Sequence, residues 1–371
     1  MRLLQIFVGP VVKRIYRFKF VQKEACPKTP GIIISNHNNF LDPALIMIAF
    51  SGHCYFVASE HIFRKGFASK LLTFVFDPIP ISKVQSDAFT MKEIFRRLKA
   101  GFNVCVFAEG NRSYNGITGP IPIATAKMIK ISGAQLVTYH FEGGYFSTPR
   151  WGKSKRQGRV SGRLAGRYSS EQLAGMTAEQ ILETIERDIW EDAYTTQKKN
   201  PVRYRGKNLA EHIEIILYLC PCCNKIGTIH SNGNNFSCSC GLNVSYTETG
   251  YLEGDLPFST ITEWYSWQAG QLAAIIDNAG DEPICADNNV RLHKVETAKS
   301  SEFIAAGSMS ISRTEFCCAG FVYPLQDIKQ FAIIGKSILV FSLKNGTQYE
   351  VLRDIPYNAL KYCEIFRILK T

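Results

Sequence analysis

The sequence has no apolar run near the roughly 20 residues that a membrane-spanning helix needs, so we expect no such helix. Its beginning lacks the order of a secretory signal peptide, because its apolar stretch is short and positive charges follow that stretch. It contains no internal repeat and no low-complexity segment, which argues against a repeat array. Acidic residues are too few to balance the basic ones, and the net charge of +11 indicates an anionic partner.

The 12 cysteines do not predict a disulfide framework. Several of them, such as Cys54, Cys105 and Cys363, lie in apolar strand-like runs, which indicates a reducing compartment. The chain has 371 residues, of which 46% are hydrophobic, and this is enough for two or three domains with sizeable cores.

Basic residues are concentrated in two segments. Residues 1–30 contain seven Lys and Arg against Glu24 alone, and residues 150–167 contain seven more and no acid. Within residues 1–20 the apolar positions follow helical spacing, with basic residues between them. This pattern predicts an amphipathic basic helix that contacts an anionic membrane surface. The alternative is a helix packed on the next domain with its basic face in solvent.

An α/β domain is predicted over residues 21–205, because strand and helix signals alternate there. A helix over 170–195 and a polar linker from Gln197 to Lys207 follow. The predicted strands are 31–35, 54–57, 79–81, 103–107 and 134–140, and the helices between them are 43–50, 66–76, 86–100 and 121–132.

The segment after the first buried strand contains His37 and Asp42, five positions apart. A carboxylate that holds an imidazole allows the imidazole to take a proton from an alcohol. Five residues on one helix would place the two side chains on different faces, so the pair must meet across a turn. Pro43 favours that turn, since it is tolerated in the first turn of a helix and disfavours helix before it. The alternative is that Asp42 only caps the helix and that His37 is an ordinary loop histidine.

A second polar segment follows the apolar run that ends at Phe107. It contains Glu109, Gly110 and Arg112, and the ends of strands are where ligands bind in α/β sheets. Arg112 offers a planar fork of donors suited to phosphate, and Gly110 permits a tight turn.

Taken in order, His-x4-Asp and Phe-x-Glu-Gly-x-Arg-Ser resemble the glycerolipid acyltransferases of the 1-acylglycerol-3-phosphate acyltransferase type. The resemblance covers roughly residues 1–200. Residues 78–83 and 133–139 stand where that family has its second and fourth blocks. The chain departs from the family at Ala108, usually proline, at Asn111, usually threonine, and at Lys83, usually arginine.

The resemblance implies transfer of a fatty acyl group from acyl-CoA or acyl-carrier protein to the free hydroxyl of 1-acyl-glycerol-3-phosphate, without an organic cofactor. His37 would be the general base and Asp42 would orient it. Lys83, Glu109, Gly110 and Arg112 would bind the glycerol phosphate. The implied partners are the lysophospholipid, the acyl donor and an anionic membrane surface, and the implied location is cytoplasmic, peripheral to the inner face of the membrane.

A structural zinc site is predicted over residues 215–248. The Cys-Pro-x-Cys and Cys-x-Cys-Gly pairs resemble a zinc ribbon, because two close cysteine pairs on tight turns supply four thiolates to a tetrahedral Zn²⁺. The expected ligands are Cys220, Cys223, Cys238 and Cys240. The alternatives are free thiols or a ribbon that has lost its metal.

Residues 250–371 are predicted to form a mostly β domain with a terminal helix, similar to a pleckstrin-homology barrel. A helix over 258–277 precedes strand patterns that extend from Val290 to Leu352, and Asn345-Gly346 predicts a two-residue hairpin turn.

Other functions remain open on these residues. An acyltransferase with a different lysolipid acceptor, or a thioester hydrolase, would share His37 and Asp42. A membrane-tethered or nucleic-acid-binding adaptor is the non-enzyme alternative. We expect no nucleic acid, because Lys225 is the only basic residue between the two cysteine pairs.

Overall fold

The computed structural model describes most of the chain from Gly31 onward and short stretches before it. The predicted N-terminal helix falls mainly outside the described residues, and so do Lys83 and the predicted helix over 66–76. The described ranges are 9–11, 13–14, 17–20, 29–50, 52–59, 77–81, 88–297, 300–355 and 357–370.

These residues form two compact units. The first runs to Gly206 apart from Trp151–Lys153, and the second contains Trp151–Lys153 and the chain from Lys207 onward. The finer division into four segments stays a prediction.

A mixed seven-stranded sheet forms the centre of the first unit, in the order β1-β7-β6-β2-β5-β3-β4. The five strands from β6 to β4 in this order are parallel, and β7 is antiparallel to β6. The strands are β1 Lys19–Phe20, β2 Gly31–Ser35, β3 Cys54–Ser59, β4 Ile79–Ile81, β5 Asn103–Val106, β6 Gln135–Glu142 and β7 Ser161–Tyr168.

Hydrophobic residues cover both faces of this sheet. Along β2, Ile33 faces one core and Ile32 and Ile34 face the other, because successive side chains of a strand point to opposite sides. This explains why β2 reads as a continuous apolar run. The helices of the unit are α1 Asp42–Ala49, α2 Ala88–Lys99, α3 Ile123–Ser132, α4 Gly144–Ser147, α5 Ser170–Ala174, α6 Ala178–Ile189 and α7 Ala193–Lys199.

The two cores involve different helices. Residues of α1 pack in the core that contains Ile33, and residues of α2, α3 and α6 pack in the other. The α/β prediction for this region is therefore confirmed.

The single helix predicted over 170–195 is wrong, since that stretch contains α5, α6 and the start of α7. Ser169 and Thr177 each form a capping box that starts a new helix, and Asp192 accepts backbone N–H groups at the start of α7. The apolar spacing that suggested one helix belongs mainly to α6.

Two antiparallel sheets make up most of the second unit. The four-stranded sheet has the order β11-β10-β9-β8, and the seven-stranded sheet has the order β15-β14-β13-β12-β18-β17-β16. The helices are α8 Ile261–Asn278 and α9 Leu360–Lys370. The strands are β8 Ile229–Asn232, β9 Asn235–Cys238, β10 Asn243–Tyr246, β11 Leu252–Gly254, β12 Cys285–Thr297, β13 Ser300–Ile311, β14 Glu315–Cys318, β15 Phe321–Pro324, β16 Ile328–Ile334, β17 Ile338–Leu343 and β18 Gln348–Leu352.

The mostly β C-terminal region with a terminal helix is thus confirmed, and its likeness to a pleckstrin-homology domain stays a prediction. A hairpin turn does join β17 and β18, but the two-residue turn predicted for Asn345-Gly346 is wrong. The Leu343 N–H donates to the Thr347 carbonyl, so residues 344–346 form the loop, and Gly346 has a positive φ of 89° whereas Asn345 does not. Within the described part of the chain, no helix is both long and apolar enough to cross a bilayer.

Candidate functional site

The two polar segments singled out in the sequence meet at one edge of the first sheet. Strands β2 and β5 are parallel neighbours, with Ile34 opposite Val106, so the loops that follow them leave the sheet side by side. The Ser113 N–H donates to the His37 carbonyl at 2.9 Å, which joins the two loops directly.

His37 and Asp42 are in contact. The His37 Nδ1 and Asp42 Oδ2 atoms lie 2.8 Å apart, and Asp42 is fully buried as the first residue of α1. The same Oδ2 accepts the N–H groups of Asn38 and Asn39, each at 2.9 Å. Asp42 therefore binds the loop before the helix, and the helix N-cap residue is Leu41, without a side-chain cap.

The imidazole of His37 is held in a defined position. It stacks on the Phe107 ring with 4.4 Å between centroids, and its side chain is 21% exposed. Burial lowers its pKa below the ordinary histidine value, the Asp42 hydrogen bond and charge oppose this shift, and the charges of Arg112 and Arg150 add to it. A neutral ring that donates from Nδ1 to Asp42 keeps a lone pair on Nε2, which is the form a general base needs.

The Glu109 carboxylate is hydrogen-bonded to the backbone of the loop that contains His37 and to the backbone of Gly119. Its Oε1 accepts the His37 N–H at 2.6 Å, and its Oε2 accepts the Gly119 N–H at 2.7 Å. Burial raises the pKa of Glu109 to about 8, and the two backbone N–H groups act in the opposite direction. These contacts give Glu109 a positioning role, and its assignment to glycerol phosphate stays a prediction. Gly110, at a φ of 67°, forms the tight turn expected after Glu109.

Two arginines add positive charge beside His37. The Arg112 Nη1 donates to the Thr148 carbonyl at 3.2 Å, and the buried Arg150 donates to the Arg112 carbonyl at 3.3 Å. The Arg150 guanidinium also lies 3.9 Å from the centre of the Tyr114 ring. The sequence showed Arg150 only as the first of a run of basic residues, so its place in this site was missed.

Asparagine side chains fix the loop that contains His37 to strand β6 and to the start of α4. The Asn36 amide donates to the Phe141 carbonyl at 2.8 Å and accepts the Phe141 N–H at 2.8 Å. The Asn39 amide donates to the Gly144 carbonyl at 3.3 Å, and a Cβ on Gly144 would overlap Asn38 Oδ1. No sequence pattern pointed to these partners, which lie 103–105 positions away from the asparagines.

The four predicted zinc ligands also come together, in the second unit. The sulfur atoms of Cys220 and Cys240 lie 3.7 Å apart, as do those of Cys223 and Cys238, and all four lie within 4.8 Å of one another. Four sulfurs around one Zn²⁺ at about 2.3 Å are separated by about 3.8 Å, so the donor set fits a tetrahedral zinc. Cys222 is exposed and outside the cluster.

Residues 17–148 match the family model described as Acyltransferase. The chain therefore carries an acyltransferase domain, and the protein is an acyltransferase. No curated protein sequence matches the chain.

A solved structure with similarity to the chain is the 1-acyl-sn-glycerophosphate (LPA) acyltransferase PlsC from Thermotoga maritima. The TM-score is 0.46 at 17% identity, over 55% of this chain and 81% of that one.

Proposed function

We propose that this acyltransferase moves a fatty acyl group from acyl-CoA or acyl-carrier protein to the free hydroxyl of 1-acyl-glycerol-3-phosphate, giving phosphatidic acid. The observation that carries the proposal is the contact of 2.8 Å between His37 Nδ1 and the buried Asp42 carboxylate. It leaves Nε2 for a substrate hydroxyl, beside the positive charges of Arg112 and Arg150.

The reaction needs no covalent intermediate on the enzyme. Nε2 of His37 takes the hydroxyl proton as the oxygen attacks the thioester carbonyl, and Asp42 stabilises the imidazolium that forms. The tetrahedral intermediate then expels the thiolate, which receives the proton from His37. The products are the new ester and the free thiol.

A phosphorylated acceptor is supported by the charge around the base. Arg112 and Arg150 both lower the pKa of His37 through their charges, so an anion bound there would meet a positive potential. We assign phosphate binding to Arg112, with Lys83 as a second cation, and a turn-shaping role to Gly110. Glu109 would act on the phosphate only indirectly, by holding the loops.

A panel of acceptors tests the substrate. Purified protein is incubated with labelled acyl-CoA or acyl-carrier protein and with 1-acyl-glycerol-3-phosphate, other lysolipids or a phosphate-free monoacylglycerol, and products are identified by mass. The proposal expects phosphatidic acid as the main product. Acylation of another lysolipid would assign a different acceptor, and free fatty acid without acceptor would make the protein a thioester hydrolase.

Two variants complete this test. His37→Ala is expected to abolish transfer, whereas His53→Ala is the matched control, because His53 precedes β3 at the opposite end of the sheet and packs on Tyr55 and Phe102. Equal losses in both variants would mean that His37 acts only through packing.

We further propose peripheral membrane association at the cytoplasmic face through the basic residues of 1–20. Binding to anionic vesicles is expected to weaken as salt rises, since exposed charges are screened. Attachment that persists after residues 1–20 are deleted would place the membrane contact elsewhere.

We also propose one structural Zn²⁺ on Cys220, Cys223, Cys238 and Cys240. A closed site of four thiolates leaves no open position for catalysis, so the ion would stabilise the four-stranded sheet. In protein purified without added zinc, X-ray absorption is expected to show one zinc with sulfur-only ligation per chain. Cys223→Ser is expected to lose it, and the exposed Cys222→Ser to keep it.

A further inference from the structure

A second cluster of metal-ligating side chains lies in the first unit, on the side of β6 opposite Phe141. His140 and Glu142 are two positions apart on β6, so they face the same side of the sheet, and Glu191 follows α6. One ring nitrogen of His140 and one oxygen from each glutamate lie within 4.8 Å of one another.

Three polar atoms of His140 and Glu191 are buried and lack hydrogen-bond partners. The side chains of His140 and Glu191 are 5% and 4% exposed. His140 Nε2 lies 2.9 Å from Glu191 Oε2, yet the direction of this contact does not satisfy a hydrogen bond. Among the described residues, both ring nitrogens of His140 and Glu191 Oε1 have no hydrogen-bond partner. Buried polar atoms of this kind destabilise the folded state unless something binds them.

We propose that His140, Glu142 and Glu191 bind a divalent transition-metal ion such as Zn²⁺ or Mn²⁺. One imidazole and two carboxylates are a ligand set that such ions take, and two negative charges balance the ion. Ligand atoms around one ion at about 2.1 Å lie about 3.0–3.5 Å apart. Glu191 Oε2 lies 2.9 Å from Nε2 of His140, whereas Glu142 Oε1 lies 3.8 Å from Nδ1. One ion binds only one of the two ring nitrogens, so the carboxylate at the other nitrogen turns to reach the ion, over distances of at most 4.8 Å between ligand atoms.

Glu142 is the ligand through which a metal ion would reach the cluster from solvent. Its side chain is 35% exposed, whereas the other two ligands are buried, so an ion arrives from the Glu142 side. The second oxygen of Glu142 accepts the Ser161 hydroxyl at 3.4 Å, which orients the carboxylate.

The site is connected to the loop that contains His37 by successive hydrogen bonds. The Glu191 carbonyl accepts the Thr118 N–H at 2.9 Å, and the next residue, Gly119, donates to Glu109 at 2.7 Å. Glu109 in turn accepts the His37 N–H at 2.6 Å. An ion that fixes Glu191 against β6 therefore stabilises the backbone that positions His37, without touching substrate.

Metal analysis of the full chain tests this site. After loading with Zn²⁺ and removal of loosely bound metal, wild-type protein is expected to hold about two ions and Cys223→Ser about one. Loading with Co²⁺ separates the two sites, since only the cysteine cluster gives sulfur-to-cobalt charge-transfer bands. The remaining cobalt in Cys223→Ser is expected to show nitrogen and oxygen ligation by X-ray absorption.

Glu142→Gln is the variant of choice. Glutamine keeps the shape of the glutamate side chain and removes only its charge, and a change at this partly exposed position disturbs packing least. It is expected to weaken binding of the second ion at least tenfold. Glu186→Gln, an exposed residue of α6, is the matched control for the lost charge and is expected to leave binding unchanged.

Hydrogen exchange gives a readout that does not depend on activity. Loading the second site is expected to slow exchange at the Thr118 and Gly119 amides in wild type and not in Glu142→Gln. The proposal is overturned if Cys223→Ser holds no metal, or if Glu142→Gln binds the second ion as tightly as wild type. The cluster would then be an ion-pair network without a metal, and the proposed acyl transfer would be unaffected.

Discussion

Replacing Asp42 by asparagine separates the charge of this residue from its role in shaping the loop. The Asn38 and Asn39 N–H groups both point at Oδ2, so an asparagine places its carbonyl oxygen there and its NH2 group at the position of Oδ1. The carbonyl still accepts the Nδ1–H of His37, and the tautomer of the base is preserved. Only the negative charge beside the imidazolium is lost.

The size of the effect follows from that lost charge. Two opposite charges about 4 Å apart attract by about 4 kcal/mol at an effective dielectric of about 20, so kcat is expected to fall roughly 10²–10³-fold. The KM values are expected to change little, because Asp42 contacts the base and not the substrate. The new NH2 group occupies the buried position of Oδ1, which has no partner among the described residues, so the free energy of unfolding also falls by about 1–3 kcal/mol.

Steady-state kinetics and thermal unfolding of the same preparations measure the two effects. Asp188→Asn is the matched control, because Asp188 is a buried carboxylate of the first unit that accepts the Thr138 and Tyr168 hydroxyls away from His37. It is expected to lower stability and leave kcat nearly intact. The double variant His37→Ala/Asp42→Asn is expected to be no slower than His37→Ala. Asp42→Asn with more than about a tenth of wild-type kcat would refute the charge argument.

Three further outcomes are expected. The pKa of His37 is lowered in the folded protein, so the ring stays neutral below the ordinary histidine pKa of about 6.5. The acid limb of the pH–kcat/KM profile should therefore have its midpoint below that pH. A midpoint above it would contradict the assignment of His37 as the base. Glu109→Gln replaces one acceptor of a backbone N–H by a donor, so the free energy of unfolding should fall by about 1–3 kcal/mol in thermal unfolding. The value of kcat should fall more than the affinity for the acceptor. A rise in KM with unchanged kcat would instead make Glu109 a phosphate ligand. Arg112→Ala should raise KM for the phosphorylated acceptor and not for a phosphate-free one. Arg163→Ala, at an exposed position, is the control. An equal rise in KM for both acceptors would mean that Arg112 only supports the loop of Thr148.

The burial of Glu109 also gives the first unit a pH-dependent stability. Its folded pKa, at about 8, lies above the unfolded value of 4.5, so the folded state binds the extra proton between these pH values. The stabilisation is fully present below pH 4.5 and is lost as pH rises through about 8. Glu109→Gln should therefore flatten the decline of unfolding free energy over this range, which chemical denaturation at several pH values would measure.

Local patterns determined most elements of the first unit. The run from Gly31 to Ser35 predicts the buried strand that is observed, and Pro43 places the start of α1 within one residue. The contact of His37 with Asp42 was also predicted, because a spacing of five residues around a proline leaves few ways to join them. For the cysteines, tight turns account only for the closeness within each pair. The contacts of Cys220 with Cys240 and of Cys223 with Cys238 join the two pairs across 20 and 15 positions, and the sequence predicted this meeting through the resemblance to a zinc ribbon.

Only the tertiary structure decided what surrounds these residues. Glu109 is bound to the His37 N–H across 72 positions, and Asn36 is bound to Phe141 across 105. A hydrogen bond between a side chain and a distant backbone group produces no recognisable pattern in the sequence. The local sequence requires only that the loop position be polar, and many residue types meet that requirement. The order of the strands sets which loops become neighbours, and this is why Arg150 and the cluster of His140, Glu142 and Glu191 emerged from the fold alone.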